Sequence, residues 1–238
     1  MAMRSMARTP SNRAGLGFTI SGYSDIMRRF SLLLLVLPLA AQDLTRQKEA
    51  ALSDSMAAEI TKQATAVSDP AVESYVAELG EKLKAHIPGG PALPWSFSVW
   101  DLSDTDNLNS PVALPDGRVI VPVSLILAAQ DEAEFAGMLA EAISHGPYRL
   151  PVRAGTLVRM GNWHGNVDGD RAAAQIGAGA GFNPAALVRY IAREDPNRAE
   201  TLRSALTDVP TGNYASASGD FARIQALLWP PRTRPTLY

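Results

Sequence analysis

Apolar residues recur three and four positions apart along most of this chain, and strict apolar–polar alternation is confined to two short stretches. That contrast dictates a mainly helical fold carrying a small sheet. Residues 44–67 place Leu44, Ala51, Leu52, Met56, Ile60 and Ala64 at helical spacing, with Arg, Lys and Glu between them. Asp69-Pro70 then opens a second helix, Asp as the N-cap and Pro in the first turn, where its missing N–H costs nothing. Val72, Tyr75, Val76, Leu79 and Leu83 line one face of it, and Pro88-Gly89-Gly90-Pro91 ends it. Trp95–Trp100 alternates as a half-buried strand does, and Arg118–Pro122 is a second strand. Leu114-Pro115-Asp116-Gly117 is a turn between them.

The second half is helical by the same criterion. Asp131 followed by Glu134 has the spacing of a capping box. Phe135, Met138, Leu139, Ala142 and Ile143 form the buried stripe behind it, and Gly146-Pro147 should stop the helix. Residues 150–166 are weakly patterned. An Ala-rich helix is expected over 168–179, running into Gly177-Ala178-Gly179-Ala180-Gly181. Asn183-Pro184 opens another, to about Arg193, and a last one covers 220–228. Residues 229–238 form a Pro-rich tail, extended or disordered. With 46% hydrophobic and 19% charged residues, this is the composition of an α+β, mainly helical globular domain.

Two bulk properties narrow the function classes. A formal net charge of −2 supplies no bulk argument for a nucleic-acid partner. The absence of cysteine removes disulfides, thiolate metal sites, thiol nucleophiles and a lipoprotein anchor. Met27-Arg28-Arg29, the Leu-rich run from Phe30 to Leu39 and the small residues Ala40-Ala41 make a signal peptide over 27–41, too short to span a membrane. Residues 1–26 read as an N-terminal extension from a start codon placed too far upstream, or else as a long basic region of the signal peptide. The expected working unit is therefore an exported domain over 42–228, periplasmic or secreted, with no spanning helix in the mature chain.

The order of several short blocks resembles a known family. Asp69-Pro70, Tyr75-Val76, Leu79-Gly80 and Leu83 match D-P-x-x-x-x-Y-V-x-x-L-G-x-x-L; Asn109–Gly117 is similar to an N-A-F-A-L-P-G-G turn. Glu134–Gly146 follows E-L-A-G-V-L-A-H-E-I-A-H-V, and Asn166–Arg171 with Gly181-Phe182-Asn183-Pro184 follows E-x-E-A-D-R and G-F-D-P. These are the blocks of family forty-eight of the HExxH zinc metallopeptidases, relatives of the periplasmic β-barrel-assembly-enhancing protease. The resemblance implies a zincin-like metallopeptidase domain, zinc as cofactor and endopeptidase activity. Two His four apart on one helix face would bind Zn²⁺, the Glu between them would act as general base, and a Glu from the next helix would complete the ligands.

This chain departs from that pattern where the chemistry lies. Glu141 stands at the first His, Ala142 at the general base and Asn166 at the ligand Glu, while His145 and the supporting acid Asp170 are kept. The family-equivalent metal positions are thus His145, Glu141 and Asn166, and no two of the three histidines, His86, His145 and His164, are four apart. Ala142 accepts no proton, and losing a positioned base typically costs about 10²–10⁴ in rate. Zinc is expected to be absent or weakly held.

Each residue also has a plainer reading: His145 as a cation on a helix C-terminus, Glu141 as a solvated face residue, Asp170 as a surface or helix-start carboxylate. Two function classes follow. One is a catalytically impaired pseudopeptidase that binds polypeptide or a partner protein. The other is an active metal-dependent endopeptidase with a site rebuilt from Glu141, His145, His164 and Asp168.

Overall fold

The computed structural model describes residues 46–62, 64–91, 93–102, 110–145, 167–207, 209, 214 and 219–229. All of them belong to one compact unit beginning at Arg46. The expected signal peptide, the weakly patterned stretch over 150–166 and residues 230–238 of the expected tail lie outside the described residues.

A first helix, α1, covers 46–61 and is followed by the short strand β1, Thr65–Ala66. The helix expected over 44–67 therefore ends early. Its last residues turn back and pair with the sheet, Thr65 opposite Asp101 and Ala66 opposite Trp100. Helix α2, Pro70–Lys84, starts as its sequence dictates, with the Asp69 side chain accepting from the N–H groups of Ala71 and Val72. Strand β2, Ser96–Asp101, lies between β1 and the parallel strand β4, Arg118–Pro122, and the two-residue strand β3, Val112–Ala113, closes the far edge. The expected Pro115-Asp116-Gly117 turn joins β3 to β4, and Gly117 takes φ 95°, which favours a residue without Cβ.

Alternation along β4 decides which layer each residue joins. Val119 and Val121 enter the main core, while Ile120 packs with Val112 and Leu114 against Met56 and Ile60 of α1. The sheet is thus covered by α1 on one face and by the larger helical layer on the other. Gly80 explains how α2 reaches the sheet, since a Cβ there would stand 2.4 Å or less from two ring carbons of Phe97.

The remaining helices are α3, Val123–Ala128; α4, Glu132–His145; α5, Val167–Gly179; α6, Ala185–Glu194; α7, Pro196–Ala205; and α8, Gly219–Leu228. α4 is the central one: every residue from Glu134 to Ser144 is buried. Gly137 lets α6 close on it, its missing Cβ facing Leu187 Cβ at 3.0 Å. α3 and α7 were not expected from periodicity. α7 carries the same Asp-Pro opening as α2, Asp195-Pro196, with Asp195 capping the helix through the Arg198 N–H at 3.0 Å. The fold is α+β, mainly helical, with a small mixed four-stranded sheet. Among the described residues no helix is long and apolar enough to cross a membrane.

Candidate functional site

Three helix ends meet at one place. His145 is the last residue of α4, Asp170 lies in the first turn of α5, and Arg198 is the third residue of α7. Glu141 stands one turn before His145 on the same face of α4, as its spacing of four requires. α5 comes close because residue 169 is glycine: a Cβ there would sit 2.5 Å from His145 Cε1. Donor atoms of Glu141, His145 and Asp170 lie within 4.8 Å of one another. Three of the four side chains expected to converge therefore do so, and the fourth, Asn166, lies outside the described residues.

Neither carboxylate is the surface group that a plain reading would give. Asp170 is 1% exposed and Glu141 6%, so both carboxylates need a partner. Arg198 supplies it. Its Nε donates to Asp170 Oδ2 at 3.0 Å and its Nη2 to Asp170 Oδ1 at 2.6 Å, a two-pronged pair, and the same Nη2 also donates to Glu141 Oε1. Burial alone would push the Asp170 carboxyl up; His145 and Arg198 beside it hold it below the usual carboxylate range. Burial alone would likewise lower the Arg198 pKa, and its bonds to Asp170 and the charge of Glu141 raise it instead, so the guanidinium stays charged. His145 Nε2 is 3.7 Å from Asp170 Oδ1 and 3.9 Å from Glu141 Oε1, beyond hydrogen-bond length. It is buried with no hydrogen-bond partner among the described residues.

Ala142, at the family's general-base position, is part of the hydrophobic core. Asp168, offered as a ligand in a rebuilt site, is exposed and is not among the converging donors. His164, the other candidate, lies outside the described residues. His86 is exposed at the end of α2, beside Gly179.

No family model matches the chain, and no curated protein is significantly similar to it.

Sequence reasoning missed Arg198 because it missed α7. The signal was present in Asp195-Pro196, which repeats Asp69-Pro70. A second buried charge was also underrated. Glu134 is fully buried and accepts from Arg193 Nη2 at 2.7 Å and from Arg189 Nε at 3.3 Å. The capping box is shifted by one residue: the Asp131 side chain accepts from the Glu134 N–H, but Glu134 reaches back to the N–H of Gln130.

The zinc that the resemblance implies would have to compete with Arg198 for this site. The donor types suit it, two carboxylates and an imidazole. Yet Glu141 Oε1 and Asp170 Oδ1, the oxygens nearest His145 Nε2, are both bonded to Arg198 Nη2.

Proposed function

We propose that this chain is an exported, zincin-like relative of the HExxH metallopeptidases that no longer hydrolyses peptides and uses its former substrate cleft to bind polypeptide or a partner protein. The observation that carries this reading is the bond of the Arg198 guanidinium to both Glu141 and Asp170. In the family layout those two positions serve the metal; here they serve a side-chain cation. The neighbouring base position is filled by Ala142, a methyl group packed in the core. A water at this place would meet neither a proton acceptor from residue 142 nor a free pair of carboxylates.

The family resemblance rests on the ordered blocks from Asp69-Pro70 to Asn183-Pro184, and the fold gives several of them a physical role. The Asp69 cap, the close approach of Gly80 to Phe97, the Gly137 contact and the pairing of Asp170 all use residues of those blocks. One observation favours the second reading, an active endopeptidase with a rebuilt site: Glu141, His145 and Asp170 still bring three ligand types together. Arg198 weighs against it, since an ion there would have to displace a buried, doubly paired cation.

The test is incubation of an unfolded protein substrate with the purified domain, with added Zn²⁺ and with chelator. The expected outcome is saturable binding without cleavage in either condition. Zinc-dependent cleavage that chelator abolishes would replace this reading with the active one. Absence of both binding and cleavage would reject the polypeptide cleft.

A further inference from the structure

We propose that Arg198 is the resident cation of this site: its guanidinium holds the place a divalent transition ion would take between Glu141, His145 and Asp170, and thereby keeps such an ion out. The proposal deepens the functional reading above and borrows from it the choice of zinc as the ion to test; its geometry stands on the described side chains.

Four observations support it. First, Glu141 Oε1 and Asp170 Oδ1 both bond Arg198 Nη2, and the same two oxygens lie nearest to His145 Nε2. A zinc ion about 2.0–2.2 Å from each donor would sit among these atoms, where ligands stand about 3.3 Å apart. The His145 distances of 3.7 and 3.9 Å are within a small side-chain adjustment of that spacing. Second, the His145 ring nitrogen aimed into the cluster is buried and has no hydrogen-bond partner among the described residues, as follows if a cationic guanidinium, which accepts no hydrogen bond and offers none in reach, has replaced a metal. Third, Arg198 is held there from its own backbone. Asp195 caps α7 by accepting from the Arg198 N–H, which fixes the start of the side chain. Fourth, the cation is buried with its partners: Arg198 and Glu141 side chains are each 8% exposed and Asp170 is 1% exposed. Two carboxylates buried this deeply require a positive charge, and the chain supplies it covalently.

The consequence is a site that gains a metal when it loses one side chain. Arg198→Met keeps most of the stem and removes the charge; Arg198→Gln is the second variant, because an amide still bonds the carboxylates while carrying no charge. Each is compared with wild type and with its own His145→Ala double variant by Zn²⁺ titration calorimetry, by the visible absorption of added Co²⁺ and by melting with and without zinc. The unmodified domain should take up no more zinc than its His145→Ala variant. Arg198→Met should bind one zinc on the order of a hundredfold more tightly than wild type, melt higher in its presence, and lose both gains when His145→Ala is added. A variant that folds only when refolded with zinc supports the proposal equally, since binding energy is then folding energy. Stoichiometric zinc in the unmodified domain held through His145 would overturn it. So would failure of both Arg198 variants to gain zinc, whether folded alone or refolded in its presence. The second result would leave the non-catalytic reading standing, whereas zinc-dependent cleavage by wild type would remove that reading.

Discussion

At the residue scale, this protein is governed by what its few buried charges are allowed to touch. Glu134 is a fully buried carboxylate that two half-exposed arginines reach. Burial raises its pKa, and the bonds from Arg193 and the Gln130 N–H, with the charge of Arg189, more than offset that, so the carboxyl is held below the usual range. A depressed folded pKa means stability that is present above the unfolded value, near pH 4.3, and is lost as pH falls through the folded value. Glu134→Gln should therefore lower stability by about 1–3 kcal/mol at neutral pH and flatten the acid limb of the stability curve; an unchanged acid limb in denaturant titrations would show that Glu134 does not titrate as described. Gly169 sets a steric condition. With Cε1 of His145 2.5 Å from the site of a Cβ, Gly169→Ala should cost about 1–3 kcal/mol through overpacking. Cutting His145 to Ala in the same chain should recover part of that loss. Strict additivity of the two changes in a double-mutant cycle would mean the ring and Gly169 do not meet.

At the element scale, the helices that place the site are set by their ends more than by their propensity. α7 is the clearest case. Its apolar pattern is thin, with Ala199 and Leu202 as its buried residues, and periodicity passes over it. What defines it is Asp195-Pro196, the same opening that marked α2 correctly. Asp195→Ala should cost about 1 kcal/mol and raise amide hydrogen exchange across Pro196–Ala205. Because the cap bonds the Arg198 N–H itself, the same change should loosen the Arg198–Asp170 pair. Unaltered exchange in α7 would contradict that coupling. The sequence made α2, α4, α5, α6, α8 and the two longer strands legible because each has a cap, a stopper or a clear period. β1 and α3 were illegible for the opposite reason. Thr65–Ala66 is a two-residue strand that exists through its pairing with Trp100 and Asp101, and Val123–Ala128 is a run of apolar residues with no polar face but Ser124.

At the scale of the whole molecule, a small sheet covered on both faces carries a helical layer in which α4 is buried almost end to end, and the C-terminal end of α4 meets the first turns of α5 and α7. Glu141, His145 and Asp170 were foreseen at that junction from spacing and from the family resemblance. Arg198 was not, because a pairing with Asp170, 28 residues away in sequence, leaves no local mark on the pattern. On the proposal above, that one residue turns a place for a metal into an ion cluster. What decides between the two chemistries is whether the native chain holds a metal at all. The direct measurement is the metal content of the purified unmodified domain by elemental analysis after exposure to excess Zn²⁺ and gel filtration. Zinc well below one per chain is the expected result, and one firmly retained zinc per chain, lost on His145→Ala, would contradict it.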